Sequence, residues 1–254
     1  MHIAVTREVS RAMEHCELSF LSRTEIDLKL ARAQHHAYEE ALAALGCQVR
    51  RLPELPEQAD SVFVEDTAVV LDEVAVITRP GAESRRPETD AMSAVLKEYR
   101  TLVTLTEPAT LDGGDVLHIG RTLYVGLSAR SNAEGARQLA DAVAPFGYRV
   151  TTVEPKGCLH LKTAATLVAP GLVLLNPAWV EPRVFEDMDC VAVDPAEPHG
   201  ANAVLVGQRI IYPKSFPRTG ARLQGRGLEV LSVDMSETEK AEGGVTCCSL
   251  LFRA

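Results

Sequence analysis

Residues 112–126, DGGDVLHIGRTLYVG, contain the unit from which the fold can be predicted. An acidic residue precedes an apolar run, a Gly-Arg turn follows, and a second apolar run completes the pattern of a β-hairpin. Similar units, of low mutual identity, recur along the chain. The residues that begin them are Asp66, Asp112, His160, Asn202 and Cys247.

The spacing of these units predicts a propeller. Successive starting residues are 42 to 48 residues apart, within the roughly 40 to 50 residues that propeller-like repeats use for one blade. Helical patterns lie between the hairpins, so we expect each blade to carry a helix as well as strands. The predicted helices cover residues 24–45, 88–99, 132–146, 182–188 and 219–225, and a strand is predicted over residues 47–52. The predicted fold is α+β, a five-bladed α/β propeller with pseudo-five-fold repeats around a central channel, in one domain over residues 1–254.

The two ends of the chain are predicted to complete one blade together. Only seven residues follow Cys247, too few for a hairpin, whereas residues 2–5 have a strand pattern and no hairpin partner of their own. Closure of the ring removes the exposed strand edges of an open sheet, which is a physical reason to expect it.

Composition restricts the class of protein. Of 254 residues, 46% are hydrophobic and 24% charged, which is typical of a folded globular chain. No run approaches the roughly 18 apolar residues of a membrane span, and the six cysteines include an adjacent pair, which favours free thiols and a cytoplasmic location. A net charge of -9 argues against a nucleic-acid partner and is compatible with a cationic substrate.

If the units surround one axis, their first residues point into the same channel. Asp66, Asp112, His160 and Cys247 would then supply two carboxylates, an imidazole and a thiol, enough for covalent attack on a positively charged carbon. Taken singly, a cysteine or histidine in an apolar strand is more often an inert core residue. Cys248 is expected to be such a residue, on the face opposite to Cys247.

Zinc binding is an alternative, because Cys158, His160, Cys247 and Cys248 offer soft ligands. No Cys-x-x-Cys or His-x-x-x-His spacing occurs, so every ligand would have to come from a distant segment. We therefore expect no metal site.

Five short motifs, in order through nearly the whole chain, resemble those of the dimethylarginine dimethylaminohydrolase family, a member of the guanidine-modifying pentein superfamily. They are SVFVED (61–66), TRPGAESRR (78–86), LDGGD (111–115), LHLK (159–162) and GGVTCCS (243–249). The resemblance implies a five-bladed pentein fold. It also implies hydrolysis of N-methylated arginine to citrulline and a methylamine, without metal or organic cofactor.

Carried over by motif, the resemblance implies roles at the reacting carbon. Cys247 would be the nucleophile and His160 the general acid and base. Asp66 and Asp112 would hold the guanidinium, with Glu65 supporting them. At the third of these motifs some relatives carry glutamate where this chain has Asp112.

The resemblance also implies contacts with the amino-acid end of the substrate. Arg85 and Arg130 would bind the α-carboxylate through charge-assisted hydrogen bonds. Asp60 and the carbonyl groups of Leu18 and Ala241 would take the α-amino group. Residues 18–23 are expected to form a rather apolar flap over the site.

The sequence is also compatible with other functions. An enzyme of the same fold could act on arginine itself or on another guanidino compound, although the short chain disfavours arginine deiminases, which resemble this fold with an added helical insertion. A non-catalytic propeller that binds a macromolecule is a remote alternative. A homodimer is compatible with the resemblance, and no membrane partner is expected.

Overall fold

The computed structural model describes residues 1–185 and 187–254, and within them the strands form five three-stranded sheets. The strands are β1 (His2–Arg7), β2 (Cys47–Leu52), β3 (Ala68–Val70), β4 (Val74–Ile77), β5 (Thr101–Thr104), β6 (Val116–Ile119), β7 (Thr122–Gly126), β8 (Arg149–Val153), β9 (Ala165–Ala169), β10 (Leu172–Leu175), β11 (Asp189–Ala192), β12 (Val204–Val206), β13 (Arg209–Pro213), β14 (Glu229–Val233) and β15 (Leu250–Arg253). Each sheet is one blade.

Four helices connect strands within a blade: α1 (Leu28–Ala44), α2 (Glu88–Leu96), α3 (Ala133–Val143) and α5 (Pro217–Gly225). The short helices α4 (Leu161–Ala164) and α6 (Ser236–Glu239) lie between one blade and the next. Short 3-10 turns cover Met13–His15, Val64–Thr67, Glu83–Arg85, Gly113–Asp115, Ala144–Phe146 and Pro182–Phe185. The last of these lies where a helix over residues 182–188 is predicted, and residue 186 of that range is outside the described residues.

The blades share one topology. In the second blade β4 pairs antiparallel with β3 and parallel with β5, and α2 makes the crossover between the parallel strands. The third and fifth blades repeat this order with α3 and α5, while in the fourth the 3-10 turn at Pro182–Phe185 lies in the crossover. Parallel neighbours need such a crossover, so the helices follow from the pairing. The predicted five-bladed α/β propeller is confirmed.

The first blade is built from both ends of the chain. Strand β1 pairs antiparallel with β15, from His2 opposite Arg253 to Val5 opposite Leu250. It also pairs parallel with β2 after the crossover through α1. The predicted closure by the two termini is confirmed.

The core consists of five clusters of buried apolar side chains. The first strands, β3, β6, β9, β12 and β15, face the axis, and β9 contacts both β6 and β12. The turns that precede these strands therefore lie at one end of the channel, where the polar residues of the repeat units are found. Within the described part of the chain, no helix is long and apolar enough to cross a membrane.

Three local expectations are wrong. The first helix begins later than Thr24, because the carboxylate of Asp27 accepts hydrogen bonds from the backbone N–H of Lys29 (2.9 Å) and Leu30 (3.0 Å) and thereby caps it. The residues after His160 form helix α4 before β9 begins. Cys247 lies in the turn before β15, so the strand alternation expected for it does not apply.

Candidate active site

Short turns before the first strands place the candidate residues at one end of the channel. Asp66 lies in the 3-10 turn Val64–Thr67, and Asp112 directly precedes the turn Gly113–Asp115. His160 precedes α4, and Cys247 lies in the turn before β15. All but Asp112 line one small cavity of about 20 Å³, and Asp112 reaches it through His160.

His160 is held between carboxylates. Its Nε2 lies 3.0 Å from Oδ2 of Asp112, and one ring nitrogen of His160 and one carboxylate oxygen each of Asp112 and Asp66 lie within 4.8 Å of one another. Gly114 is required for this approach, because a Cβ there would lie 2.7 Å from His160 Nδ1 and 2.8 Å from Asp66 Oδ1. The GlyGly of the LDGGD motif thus brings three polar side chains together.

The charge on His160 follows from these neighbours. Burial lowers the pKa of the imidazole, but Asp66, Asp115 and Asp112 outweigh it and raise the pKa to about 9. In the substrate-free chain His160 is therefore an imidazolium at neutral pH, ready to donate a proton.

The surroundings of Cys247 favour its neutral form, in contrast to those of His160, which favour the charged form. Burial, together with the charges of Glu65 and Asp66, raises the pKa of the thiol to about 12. The backbone N–H of Gly244, 3.3 Å from Sγ, only partly offsets this. Without substrate the sulfur is a neutral thiol at pH 7.

Arg85 is buried and heavily bonded. Its Nη1 donates to Asp66 Oδ2 at 2.5 Å, and its Nε and Nη2 donate to the carboxylate of Glu88 at 3.1 and 2.9 Å. Burial raises the pKa of Asp66, but His160 and Arg85 outweigh it and hold the pKa at about 2. Arg85 lines the cavity, and its contacts fix the orientation of Asp66.

Glu65 lies beneath the cavity rather than in its wall. Its Oε1 accepts from Lys162 Nζ at 2.5 Å and its Oε2 from Thr246 Oγ1 at 2.7 Å. Its backbone N–H donates to the carbonyl of Cys247 at 3.1 Å, and Asn202 Nδ2 donates to Thr246 Oγ1 at 3.0 Å. This network supports the turn that carries the nucleophile candidate.

The residues predicted for the amino-acid end of a substrate lie on the other side of the cavity. Asp60, Arg130 and Ala241 line it. The carboxylate of Asp60 accepts from the backbone N–H of Glu17 at 3.1 Å, and Arg130 Nη2 lies 3.3 Å from Ser19 Oγ. Leu18 is half-buried and packs on the apolar core, and it is not among the residues that line the cavity.

Sequence reasoning missed several buried or bridging residues. Glu88 and Asp115 are buried beside Arg85 and His160, and Lys162 pairs with Glu65. Glu242 accepts backbone N–H bonds from the predicted flap, at 2.6 Å from Phe20. The three-residue spacing of Arg85 and Glu88 is a signal that could have been used, whereas nothing in the sequence links Glu242 to the flap.

The donor atoms of Asp66, Asp112 and His160 could in principle surround a metal ion. Asp66 is already bonded to Arg85 and to the N–H of Gly114, and Asp112 to His160 and the N–H of Gly81. Carboxylates that accept from N–H donors, beside a protonated imidazole, suit a guanidinium better than a metal. Among the described residues the cysteines of the zinc alternative do not join this group.

A five-bladed α/β propeller with a thiol, an imidazole and buried carboxylates at one end of its channel defines the pentein class. Residues 4–181 match the family model of N,N dimethylarginine dimethylhydrolase, eukaryotic. The chain is 41% identical over 253 residues to N(G),N(G)-dimethylarginine dimethylaminohydrolase of Streptomyces coelicolor, covering 98% of this chain and 96% of that protein. The chain belongs to the dimethylarginine dimethylaminohydrolase family.

Solved structures agree with this assignment. The chain superposes on a cysteine-to-serine mutant of DDAH from Pseudomonas aeruginosa in complex with citrulline with a TM-score of 0.93, at 34% identity and 98% coverage of both chains. The N-terminal domain of ArgZ, an arginine dihydrolase from cyanobacteria, superposes with a TM-score of 0.86 at 20% identity, covering 98% of this chain and 97% of that one. At that identity the likeness shows the fold alone.

Proposed function

We propose that the chain hydrolyses N-methylated arginine to citrulline and methylamine or dimethylamine, through a covalent thiouronium on Cys247. The observation that carries this is the cavity shared by Cys247, His160 and Asp66, with Asp112 hydrogen-bonded to His160. The Streptomyces coelicolor and Pseudomonas aeruginosa relatives are named for action on dimethylarginine, and the carboxylates here suit its cationic group.

The proposed binding mode follows from the walls of the cavity. Asp66 holds the guanidinium directly, whereas Asp112, which was expected to share this role, lies behind His160 and acts through that ring. Arg130 and the remaining N–H of Arg85 Nη1 take the α-carboxylate, and Asp60 takes the α-amino group. The carbonyl groups of Ala241 and Leu18 complete the amino-group contacts, Leu18 after a movement of the flap that carries it towards the cavity. Such ionic contacts at both ends fix Cζ beside the sulfur.

The substrate itself activates the nucleophile. A guanidinium placed beside Cys247 offsets the carboxylate charges that raise the thiol pKa, so the thiol loses its proton to water. The thiolate then forms a bond to Cζ and gives a neutral tetrahedral adduct. His160 donates its proton to the methylated nitrogen, the C–N bond breaks, and a neutral amine leaves a thiouronium cation behind.

The second half of the reaction reverses the role of His160. The now neutral imidazole takes a proton from water as the hydroxide forms a bond to Cζ. The C–S bond then breaks, and the oxygen-bound proton passes to the departing thiolate, which gives the urea of citrulline and restores the neutral thiol of Cys247. His160 ends as the imidazolium with which it began.

Arginine remains the second candidate substrate, since Asp66 contacts the part of the guanidinium that arginine and methylarginines share. Citrulline release should be measured with arginine, monomethylarginine and asymmetric dimethylarginine under the same conditions. We expect kcat/KM to be highest for a methylated arginine, and faster turnover of unmodified arginine would reject the proposed specificity.

Two cysteine variants test the nucleophile. Cys247→Ser should abolish citrulline release, whereas Cys248→Ser should retain it, because Cys248 is fully buried in the apolar core beside the site. Retained turnover in Cys247→Ser, with both variants folded by circular dichroism, would reject the proposed role of Cys247.

We also propose that residues 1–254 form one domain, which the joining of β1 and β15 in one sheet supports. The six cysteines are free thiols, which supports the proposed cytoplasmic location. The proposed homodimer is tested by light scattering of the purified chain.

A further inference from the structure

A second, larger cavity adjoins the catalytic one. Its volume is about 280 Å³, and it shares Leu159, Glu242 and Gly243 as walls with the catalytic cavity. Gly244, whose N–H points at the sulfur of Cys247 from 3.3 Å, also lines it. A group that leaves the reacting carbon on this side is therefore released next to the larger cavity.

The charged groups in its wall are acidic. Glu239 and Glu242 line the cavity, and no lysine or arginine does so within the described chain. Burial lowers the pKa of His199 and raises that of the Cys158 thiol to about 12, so both of these wall residues are neutral at pH 7. The field inside the cavity thus favours a cation.

Glu239 has an unused acceptor. Its Oε2 accepts from Ser215 Oγ at 2.7 Å, whereas its Oε1 is buried and has no hydrogen-bond partner among residues 1–185 and 187–254. A buried acceptor without a partner is costly, so rotation of this carboxylate towards a donor in the cavity is favourable.

The rest of the wall is mainly apolar and includes two aromatic rings. Phe20 and Leu21 come from the flap, and Phe216 and Pro213 come from the fifth blade. Apolar walls with aromatic faces and a carboxylate suit an organic ammonium ion, because methyl groups pack on the rings while the charge faces the acid.

We propose that this cavity binds a small alkylammonium ion, with an N–H of the ion donating to the carboxylate of Glu239 and its methyl groups packed against Phe20 and Phe216. The inference rests on the proposed function for the source of this ion. The proposed reaction releases a neutral amine, which then takes a proton from water. The cavity then holds the amine product beside the sulfur, behind the flap.

Dimethylammonium chloride is the probe. It should be titrated into the wild-type chain while the fluorescence of Trp179 is recorded. This is the one tryptophan of the sequence, and its ring lies 4.9 Å from that of His199 in the cavity wall. Ammonium chloride at equal ionic strength controls for charge without methyl groups. Glu239→Gln is compared with Glu57→Gln, a change at an exposed glutamate that does not line the cavity.

We expect a saturable response to dimethylammonium, a weaker one to ammonium, and about tenfold weaker binding in Glu239→Gln only. A response that does not saturate, or that Glu239→Gln leaves unchanged, would overturn the proposal. Should Glu239→Gln fail to fold, the backbone amide signals of Gly243 and Gly244 in wild-type NMR spectra decide, since they must shift at lower concentrations of dimethylammonium than of ammonium.

The same preparation is assayed for citrulline release from dimethylarginine. Turnover without saturable dimethylammonium binding rejects the amine site and leaves the proposed function intact. Binding that depends on Glu239 without turnover rejects the proposed function and leaves the organic-cation site intact.

Discussion

Replacement of Glu242 should loosen the flap over residues 18–23. Its Oε1 accepts from the backbone N–H of Ser19 (3.0 Å), Phe20 (2.6 Å) and Leu21 (2.7 Å), so one carboxylate holds three consecutive residues. Glu242 also has φ of 59°, in the left-handed region that glycine adopts without strain. Glu242→Gly therefore removes the carboxylate without adding backbone strain, and Glu242→Gln keeps one acceptor oxygen but no charge.

The size of the effect follows from these bonds. Hydrogen bonds to a charged group contribute about 1.5–3 kcal/mol each when buried, but this contact is exposed and screened, so we take about 2 kcal/mol for all three together. That corresponds to a shift of about 30-fold in the equilibrium between held and released flap. The catalytic cavity, at about 20 Å³, has room for little more than one water, which needs roughly 10–15 Å³ on this measure, so the segments around it have to move for any substrate to bind.

The assay combines amide exchange with steady-state kinetics. In Glu242→Gly, exchange at Ser19, Phe20 and Leu21 should be about 30-fold faster. KM should rise about tenfold with a smaller change in kcat, because the released flap holds the bound substrate less well. Glu242→Gln should lie between Glu242→Gly and wild type, and Glu57→Gln is the control. Unchanged exchange at these amides in Glu242→Gly would refute the reasoning.

Three further predictions concern the site and its support. In the free enzyme the pKa of Cys247 is about 12 and that of His160 about 9, and attack requires loss of the thiol proton, so kcat/KM should rise between pH 7 and about 9 and level off above it; a profile that is flat from pH 7 to 9 would contradict this. Gly243→Ala should lower stability by about 1–3 kcal/mol in urea unfolding, because its Cβ would lie 2.1 Å from the ring of Phe63; wild-type stability would mean that the ring moves freely. Lys162→Met leaves Glu65 buried without its ion-pair partner and should cost about 3 kcal/mol, with the double variant Lys162→Met/Glu65→Gln recovering most of it; no recovery would show that the pair is not the cause.

The repeat and its closure could be predicted because they depend on local patterns. Regularly spaced hairpin patterns indicate blades. The strand pattern at the N-terminal end has no hairpin partner of its own, and the short strand at the C-terminal end can pair with it. Equivalent positions in a ring face the same axis, so the convergence of Asp66, His160 and Cys247 on one cavity follows from the spacing. The start of α1 was misplaced because the sequence does not show whether Thr24 or Asp27 caps it.

Side-chain packing between distant segments could not be predicted. The burial of Arg85 between Asp66 and Glu88, and the contact of Glu242 with a flap more than 200 residues away, depend on the assembled ring. The protonation of the thiol likewise depends on how deeply Cys247 is enclosed and on which carboxylates lie nearby. These long-range contacts determine the protonation states of the site residues and the access of substrate to the site. The repeat pattern determines only where the residues lie along the channel.

The central claim is that the sulfur of Cys247 becomes covalently bonded to the guanidinium carbon. Wild-type protein quenched in acid during turnover of dimethylarginine, digested and measured by mass spectrometry, tests it most directly. We expect a fraction of the peptide that contains Cys247 and Cys248 to carry the mass of the thiouronium adduct, with fragmentation placing it on Cys247. An adduct on Cys248, or citrulline formation at full rate without any adduct on this peptide, would contradict the account.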